Sequence, residues 1–313
     1  INDLDFRTHI ISKENLVTNA YIAFINTCKN LITKNKYNIY KNNCYLAYNN
    51  NKPSISEAKG FFKDNFYFNK DISLNNYGIM TGYYEPEVKS YRHKKENSYP
   101  IYKMDIKKYG ENIFKSSRKA INKGIFDNKK LEIAWVENEI EAFFLHIQGS
   151  GRLRFPDGEV KRIKYSGSNN KIYTAIGKIL IDKQIIKKEN ISMFSIKKWL
   201  YENPKKAREV MEKNERYIYF KEYKGEVKGS AGINLEPMVS VAVDINYYNL
   251  GDILVITDVD SNKSFLGIAH DTGAAIKGKN RIDLFTGFGK NAEKLAAGLN
   301  KKITVHKLQA LFH

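Results

Sequence analysis

The chain lacks several features that mark common functional classes. Its 313 residues include two cysteines, Cys28 and Cys44, which form no CxxC pair, and no clustered histidines, so no zinc site of the usual spacing is expected. No run approaches the roughly 18 apolar residues of a membrane helix, and no signal peptide is visible at Ile1. The sequence therefore predicts a soluble globular protein, and a start on Ile suggests a trimmed chain.

Acidic residues are also scarce. The 34 Asp and Glu residues stand against 52 Lys and Arg residues, which gives a net charge of +18. A surface of that sign attracts polyanions, so nucleic acid, anionic lipid and acidic cell-wall polymer all fit as partners. The alternative is a purely compositional origin, because Lys and Asn are abundant throughout and no arginine-rich block stands out. The two cysteines likewise fit either one disulfide or two buried apolar side chains.

The remaining composition is that of a folded protein. Hydrophobic residues make up 42% and charged residues 27%, and the length suggests about two domains. Apolar residues recur near a 3.6-residue period from Val17 to Ile32, and Ser54 with Glu57 forms a capping box, so two helices are expected first. Further helices are predicted over 172–180, after Asn203-Pro204, and over 292–299. Strands are predicted over 77–86, 99–102, 131–136, 142–148, 160–165, 217–220, 239–245, 253–257 and 303–308, and at Asp271 and over 282–285.

Two aspartates stand out near the C-terminal end. Asp271 and Asp283 lie twelve residues apart at strand-like runs, beside Gly273 and Gly278, where the backbone can turn tightly and a ligand can approach closely. Two carboxylates facing one opening predict a catalytic centre. The alternative is that Asp271 only caps a turn through backbone amides. Asp244 is a third acidic residue that follows an apolar run.

Polar and aromatic segments elsewhere are candidates for ligand contacts. Tyr83 and Tyr84 follow Gly82 at a strand end, where a ring face can pack on the C–H surface of a sugar. The alternative places one tyrosine in the core and the other at the surface. The segments around Gln148-Gly149-Ser150 and Tyr165 are polar and flexible, as cleft linings are, although Gly-Ser-Gly also fits a β-bulge.

Four separated motifs, in the same order, resemble the membrane-bound lytic murein transglycosylase A family. They are Thr81–Pro86, Glu141–Gly151, Tyr165–Lys178 with the following Leu180-Ile181-Asp182, and Asp271–Gly278 with Asp283. The resemblance runs from about residue 54 to the end. It implies a mainly β fold with flanking helices, in which a double-psi β-barrel carries an inserted, β-barrel-like second domain and a glycan groove lies between them. The expected domains are 1–88 with 223–313 for the catalytic barrel and 89–222 for the insert.

The resemblance also implies an activity. A lytic transglycosylase cleaves the β-1,4 bond between N-acetylmuramic acid and N-acetylglucosamine in peptidoglycan and leaves a 1,6-anhydro end. Asp283 takes the place of the single acid that then acts as a base, and Asp271 that of its buried supporting neighbour. Neither a metal nor another cofactor is implied. The expected substrate contacts are Thr81, Gly82, Tyr83, Tyr84, Gln148, Gly149, Ser150, Tyr165 and Asp244, the last being a member of the three-aspartate module.

The family also implies a location and partners. Peptidoglycan glycan strands are the expected partner, nucleic acid is not, and cell-wall synthesis or remodelling proteins are further candidates. The periplasm of a Gram-negative bacterium is expected, with an outer-membrane association through a lipid anchor upstream of Ile1. Two other classes stay open. One is a double-psi barrel protein that binds peptidoglycan without cleaving it, and the other, from charge alone, is a nucleic-acid-binding protein, although no helix-turn-helix, zinc finger or RNA-binding motif is present.

Overall fold

The computed structural model describes residues 16–31, 40–68, 77–273 and 276–311. By its internal contacts the chain divides into two compact units. The first unit comprises Ile1–Tyr84, Glu226–Gly287 and Asn291–His313, and the second comprises Glu85–Gly225 and Phe288–Lys290. The second unit is thus inserted into the sequence of the first. The domain limits expected from the sequence, 1–88 with 223–313 and 89–222, remain our proposal for the folding domains.

Helices occur in both units. The α-helices among the described residues are α1 (Leu16–Leu31), α2 (Lys41–Tyr48), α3 (Ile55–Asn65), α4 (Ile106–Tyr109), α5 (Arg118–Asn122), α6 (Glu139–Gln148), α7 (Ile176–Asp182), α8 (Met193–Glu202), α9 (Pro204–Glu212) and α10 (Gly289–Gly298). Two short 3-10 helices span Asn112–Lys115 and Lys188–Asn190.

The strands form one barrel, one open sheet and one short pair. Those of the described residues are β1 (Phe66–Tyr67), β2 (Gly78–Glu85), β3 (Glu87–Tyr91), β4 (Tyr99–Tyr102), β5 (Glu132–Val136), β6 (Ser150–Arg154), β7 (Val160–Ser168), β8 (Ile218–Tyr223), β9 (Ser240–Val243), β10 (Ile253–Asp258), β11 (Lys263–Thr272), β12 (Arg281–Phe288), β13 (Asn300–Lys307) and β14 (Gln309–Ala310).

The first unit is built on a closed barrel. Its strand order is β10-β11-β9-β12-β2-β13, and β13 pairs with β10 to complete the ring. Strand β9 runs parallel to β11 and antiparallel to β12. Because side chains alternate along a strand, Val241 and Val243 of β9 enter the barrel core together with Ile282 and Leu284 of β12. The residues between them therefore face outward.

Three helices cover part of this barrel. Phe24 of α1, Phe62 of α3 and Phe66 pack in one core cluster with residues of β10 and β11. Cys28 and Cys44 form a disulfide that joins α1 to α2, with a Cα separation of 5.7 Å, so the first of the two interpretations is correct.

The sequence signals for the first two predicted helices can be compared with the structure. The capping box is present at α3, where the Ser54 hydroxyl accepts from the Glu57 amide and the Glu57 carboxylate accepts from the Ser54 amide. The apolar stripe expected from Val17 onward is confirmed through Cys28, because its members are buried along α1. Ile32, the last of that stripe, lies outside the described residues.

The second unit is a six-stranded sheet with helices packed against it. The strand order is β4-β5-β3-β6-β7-β8. Strands β6 and β7 form the hairpin predicted at Asp157-Gly158, and Gly158 takes the positive φ of 87° that this turn requires. Asn203 precedes α9 with Pro204 at its first position, as predicted, although the Asn203 side chain makes no capping hydrogen bond.

Two predictions for this unit are wrong. Residues 142–148 form the second half of helix α6 instead of a strand. Ala142 and Leu145 pack in one core cluster while Phe143 and Phe144 pack in another, so the helix is apolar on two sides and shows no polar face to reveal its period. Ile172 was predicted on a helical face, but it precedes α7 and is 84% exposed.

Candidate active site

The two aspartates flank the same residue of the barrel. Asp271 of β11 and Asp283 of β12 are both register partners of Ala242, which lies on the strand between theirs. Adjacent strands are about 4.8 Å apart, so the two Cα positions are separated by roughly 10 Å. Register partners project from the same face of a sheet. The structure therefore brings together the two carboxylates predicted from the sequence, with only a methyl group between them.

The carboxylates lie on the outer face of the barrel. Ile282 and Leu284, which flank Asp283, both enter the barrel core, so Asp283 projects to the outside. Thr81 and Tyr83 reach the same face from β2, and each makes a hydrogen bond to one of the aspartates. The barrel thus presents four predicted site residues as one outward-facing group.

Asp283 is held by a short chain of hydrogen bonds. Thr81 Oγ1 donates to Asp283 Oδ1 at 2.6 Å, and Arg281 Nη2 donates to Thr81 Oγ1 at 2.8 Å. Arginine can only donate, so Thr81 accepts from it and must direct its single hydroxyl proton toward Asp283. Asp283 Oδ1 is therefore an acceptor. When Asp283 is protonated, its proton belongs on Oδ2.

The surroundings of Asp283 favour its protonated form. Burial raises the pKa of the carboxyl, and the negative charge of Asp271 acts in the same direction. The hydrogen bond from Thr81 and the positive charge of Arg281 oppose this shift, but the net pKa is above the ordinary value of an aspartate. A carboxyl in this position can release a proton to a substrate and take one back.

Asp271 has the opposite kind of surroundings. Its Oδ1 accepts from the Ser230 amide at 2.9 Å, from Ser230 Oγ at 2.7 Å and from the Thr272 amide at 2.9 Å. Its Oδ2 accepts from the Tyr83 hydroxyl at 3.0 Å. Four donors match the acceptor capacity of an ionised carboxylate. Asp271 is accordingly held in place by four hydrogen bonds beside Asp283.

Of the two tyrosines, only Tyr83 faces this group. Its ring packs at a tilt on Phe285 with 5.3 Å between ring centroids, and burial, followed by the charges of Asp271 and Asp283, raises the pKa of its hydroxyl well above 10. Tyr84 is buried, with 3% exposed, so against the prediction it offers no surface to a glycan. The interpretation with one tyrosine in the core fits these positions.

Gly82 lies on the opposite side of β2 from Thr81 and Tyr83. A Cβ at this position would come within 2.8 Å of Ala296 Cα and of Leu299 Cδ1. The close approach of β2 to α10 is therefore a packing reason for glycine here, and its predicted contact with substrate stays a prediction.

Asp244, predicted as a substrate contact, holds a loop. It is buried at the end of β9, and its carboxylate accepts from the Gly278 amide at 2.8 Å and from the backbone and side chain of Asn246. The backbone donors of Gly278 and Asn246 lower the pKa of Asp244. Tyr248 adds a bond to the carbonyl of Lys279. Asp244 therefore affects the site indirectly, by holding the loop that connects Asp271 to Asp283.

His270, next to Asp271 in the sequence, belongs to the core. It is fully buried, with Nε2 at 2.7 Å from Thr27 Oγ1 and Nδ1 at 2.8 Å from Ser240 Oγ. Burial lowers its pKa to about 3. The imidazole is therefore neutral over the physiological range, and both of its nitrogens bond to hydroxyls instead of to the carboxylates.

The other predicted contacts lie in the second unit. Gln148 ends helix α6, and its amide nitrogen lies 3.7 Å from Met193 Sδ. Gly149 terminates that helix with a left-handed φ of 76°, and its carbonyl accepts from the Tyr165 amide. Ser150 begins β6, and Tyr165 is 48% exposed. These four residues form one connected corner where α6, β6 and β7 meet.

Sequence reasoning missed two residues of the site. Arg281 is two positions before Asp283 on the same strand, so it shares the outer face, and this spacing was the available signal. Ser230 lies 41 residues from Asp271, and its sequence neighbourhood gave no signal. Within the described ranges, no group of three or more His, Cys, Asp or Glu side chains is arranged to hold a metal ion.

Comparison with known families and proteins adds independent evidence. The MltA specific insert domain matches residues 79–221, and the 3D domain matches residues 239–309. The membrane-bound lytic murein transglycosylase A of Vibrio cholerae is 34% identical over 228 residues, 68% of this chain and 60% of that protein, so this chain spans less than two thirds of that relative. The homologue from Buchnera aphidicola is 34% identical over 284 residues, 87% of this chain and 76% of that protein.

The solved structures agree with these matches. The crystal structure of Escherichia coli MltA with bound chitohexaose is 26% identical, covers 94% of this chain and 90% of its own, and has a TM-score of 0.74. The likeness confirms the predicted fold class, mainly β with a double-psi β-barrel and flanking helices. In the described part of the chain, every helix is too short or too polar to cross a membrane. By its domains and its relatives, the chain belongs to the membrane-bound lytic murein transglycosylase A family.

Proposed function

We propose that this protein is a peptidoglycan lytic transglycosylase in which Asp283 alone acts first as acid and then as base. The observation that carries the proposal is the asymmetry of the two carboxyls. Asp283 has a raised pKa and an oxygen, Oδ2, that is directed away from the hydrogen bond with Thr81, whereas Asp271 accepts four hydrogen bonds. One carboxyl with a raised pKa beside a second that is held by four hydrogen bonds is what a single-carboxyl mechanism needs.

In the proposed mechanism the substrate itself supplies the nucleophile, so the second carboxyl of a hydrolytic glycosidase is not needed. A glycosidase that uses water needs two carboxyls, one to protonate the leaving oxygen and one to activate water or attack carbon. N-acetylmuramic acid carries a C6 hydroxyl that can close on its own C1 and form the 1,6-anhydro ring. Intramolecular delivery of this kind contributes about 7–11 kcal/mol at its best. One carboxyl can therefore perform both proton transfers in turn.

In the proposed sequence, Asp283 Oδ2 gives its proton to the oxygen that joins the two sugars as the C1–O bond breaks. The resulting carboxylate then accepts the proton of the C6 hydroxyl. At the same time the C6 oxygen forms a bond to C1. The negative charge of Asp271 favours positive charge developing at the sugar ring. Thr81 and Arg281 stabilise the carboxylate formed after the first transfer, and Asp283 ends the cycle protonated again.

We propose the remaining site assignments on weaker grounds. Thr81 and Tyr83 have hydroxyls on the same face as both carboxyls, which supports a contact with the sugar around the cleaved bond. Gln148, Gly149, Ser150 and Tyr165 form a polar corner of the second unit, which suits glycan binding. Truncation of Gln148, Ser150 or Tyr165 should weaken binding of glycan chains more than it lowers stability, as measured by calorimetric titration and thermal unfolding.

The composition and the relatives support the proposed substrate and location. Escherichia coli MltA was crystallised with chitohexaose, a glycan, and the relatives are named murein enzymes. Peptidoglycan carries peptide carboxylates, so a net charge of +18 favours association with it, and added salt should weaken that association. A disulfide fits the oxidising periplasm. An outer-membrane association, a lipid anchor upstream of Ile1 and cell-wall protein partners complete the proposal.

The replacement Asp283→Asn tests the mechanism. It keeps the shape of the side chain but removes the transferable proton, so turnover of purified murein should fall by about 10²–10⁴-fold or more while glycan affinity is retained. Asp260→Asn, on the exposed β10–β11 turn, is a matched control that should leave turnover unchanged. Full activity of Asp283→Asn would overturn the assignment. Glycan binding by the wild type without any product would instead indicate the non-catalytic binding protein.

A further inference from the structure

The second unit contains a cavity that the proposed reaction does not use. It has a volume of about 250 Å³ and lies between α5, α6, β4 and β5. Tyr102, Trp135, Phe143 and Tyr217 line its sides. At about 250 Å³ it is at the low end of small-molecule sites, so it is suited to a ligand of amino-acid or dipeptide size and is too small for a glycan chain.

A buried arginine lines this cavity without an acidic partner. Arg118 is 3% exposed and donates from Nε to the carbonyl of Asn214 at 2.7 Å and from Nη2 to that of Arg216. Its guanidinium lies over the rings of Phe143 and Tyr217, at 4.9 and 5.1 Å from their centroids. Across the described ranges, none of the ion pairs includes Arg118. Its hydrogen bonds go to carbonyls and to a histidine, and Glu139 and Glu212 act on it as charges without pairing with it. A buried charge without a paired anion is costly, and an anion beside it offsets that cost.

A histidine beside this arginine has an unused donor. His146 Nδ1 lies 3.0 Å from Arg118 Nη1, and because a guanidinium only donates, Nδ1 must be the acceptor. Burial, followed by the charge of Arg118, lowers the pKa of His146 well below 6.5, so the ring is neutral and its proton is on Nε2. Nε2 is buried and has no hydrogen-bond partner among the described residues. A buried donor of this kind is satisfied by a water molecule or by an acceptor atom of a ligand.

The charged groups around the cavity are mostly basic. Glu139 is paired with Arg208 at 2.8 Å, and among the described residues Asp127 is the acidic group of the lining that forms no ion pair. Lys123 is exposed at the rim, and Lys94 lies over the ring of Trp135. Arg118 uses three of its five N–H donors within the protein. The lining therefore combines donors, positive charge and aromatic surface.

From these observations we infer that the cavity is a binding site for the carboxylate of a short peptide. The carboxylate accepts hydrogen bonds from the guanidinium of Arg118 and from Nε2 of His146, while the aromatic walls contact the apolar part of the ligand. The source of the peptide rests on the proposed function, because peptidoglycan stem peptides carry free carboxylates. On that basis the second unit binds the peptide of the murein that the first unit cleaves.

The test compares two probes that differ only in charge. N-acetyl-D-alanyl-D-alanine and its C-terminal amide are titrated into the full chain, with binding measured by calorimetry. The free acid should bind at least about tenfold more tightly than the amide, because a charge-assisted hydrogen bond is lost with the amide. The comparison uses the wild-type protein, so it does not depend on whether a variant of Arg118 or His146 folds.

Two variants of exposed residues locate the site. Lys123→Glu reverses a charge at the rim and should weaken binding of the acid roughly two- to tenfold. Lys119→Glu makes the same change four residues earlier, on α5 and outside the cavity lining, and should leave binding unchanged. Equal binding of acid and amide, no binding of either, or equal effects of the two variants would overturn the inference. Murein cleavage by the same preparation is scored separately, so loss of cleavage with acid-selective binding retained refutes only the proposed function.

Discussion

Replacing Thr81 by valine tests the hydrogen-bond chain that controls Asp283. Valine keeps the shape and the strand preference but removes both the donor to Asp283 Oδ1 and the acceptor for Arg281. Hydrogen bonds to charged groups contribute about 1.5–3 kcal/mol, and one pKa unit corresponds to about 1.4 kcal/mol. Loss of the Thr81 donor should therefore raise the pKa of Asp283 further.

The sign of the kinetic effect follows from the role of Asp283. The reaction begins with protonated Asp283, so kcat/KM falls as pH rises through its pKa. A higher pKa moves this alkaline limb to higher pH in Thr81→Val. At the plateau, turnover should fall roughly ten- to hundredfold, because the carboxylate formed after the first proton transfer loses its donor.

The assay is the rate of anhydro-muropeptide release from purified murein, measured across pH for the wild type and the variant. Thr257→Val is the matched control, since Thr257 lies on β10 of the same barrel and its hydroxyl bonds to Ser264 instead of a carboxylate. That variant should keep the wild-type pH profile. An alkaline limb that stays in place in Thr81→Val, with only KM changed, would show that Thr81 contacts substrate without tuning Asp283.

Three further predictions concern the scaffold. Asp244→Ala should lower turnover without moving the alkaline limb, because it releases the loop between the two site strands and leaves the hydrogen bond to Asp283 intact. The free energy of unfolding should fall as pH drops from 6.5 to 5, by up to about 1.4 kcal/mol per pH unit for each of His146 and His270, since both pKa values are lowered in the fold and the unfolded chain binds the protons. Cys44→Ser should lower the free energy of unfolding by about 3 kcal/mol, because the unfolded chain gains entropy when the loop between Cys28 and Cys44 is no longer closed by the disulfide.

Each of these has a direct measurement. Urea unfolding at several pH values gives the change in the free energy of unfolding with pH. His270→Gln should reduce this pH dependence, whereas His93→Gln, at an exposed position, should leave it unchanged. An undiminished pH dependence in His270→Gln would contradict the linkage argument. Urea unfolding of Cys44→Ser and of the oxidised wild type measures how much the disulfide contributes to the free energy of unfolding. Equal urea midpoints for the two proteins would contradict the predicted loss of stability. For Asp244→Ala, a shifted alkaline limb would show that its carboxylate acts on Asp283 directly.

Local signals in the sequence predicted much of the barrel unit. The capping box at Ser54, the strand into Asp271 and the strand through Asp283 depend on neighbouring residues alone, and the structure contains all three. Helix α6 was mistaken for a strand because its apolar residues are contiguous. Its boundaries were nevertheless marked, by Asn138, whose side chain accepts from two amides of the first turn, and by Gly149 at its end.

The site was only partly predictable because its contacts are long-range. The resemblance to a family indicated Asp271 and Asp283, but the sequence could not show that both are register partners of Ala242. Nor could it show that Ser230 supplies two donors to Asp271. The different roles that the resemblance implies for the two aspartates depend physically on these tertiary partners, which only the structure shows.

The most direct test of the central claim is mass spectrometry of the products that the wild-type chain releases from murein in water labelled with heavy oxygen. If the C6 hydroxyl of the sugar attacks its own C1, the new ends are 1,6-anhydro-N-acetylmuramic acid, one water lighter than a hydrolysis product, and they carry no label. Reducing ends that contain the heavy oxygen would show that water is the nucleophile and would contradict the single-carboxyl mechanism.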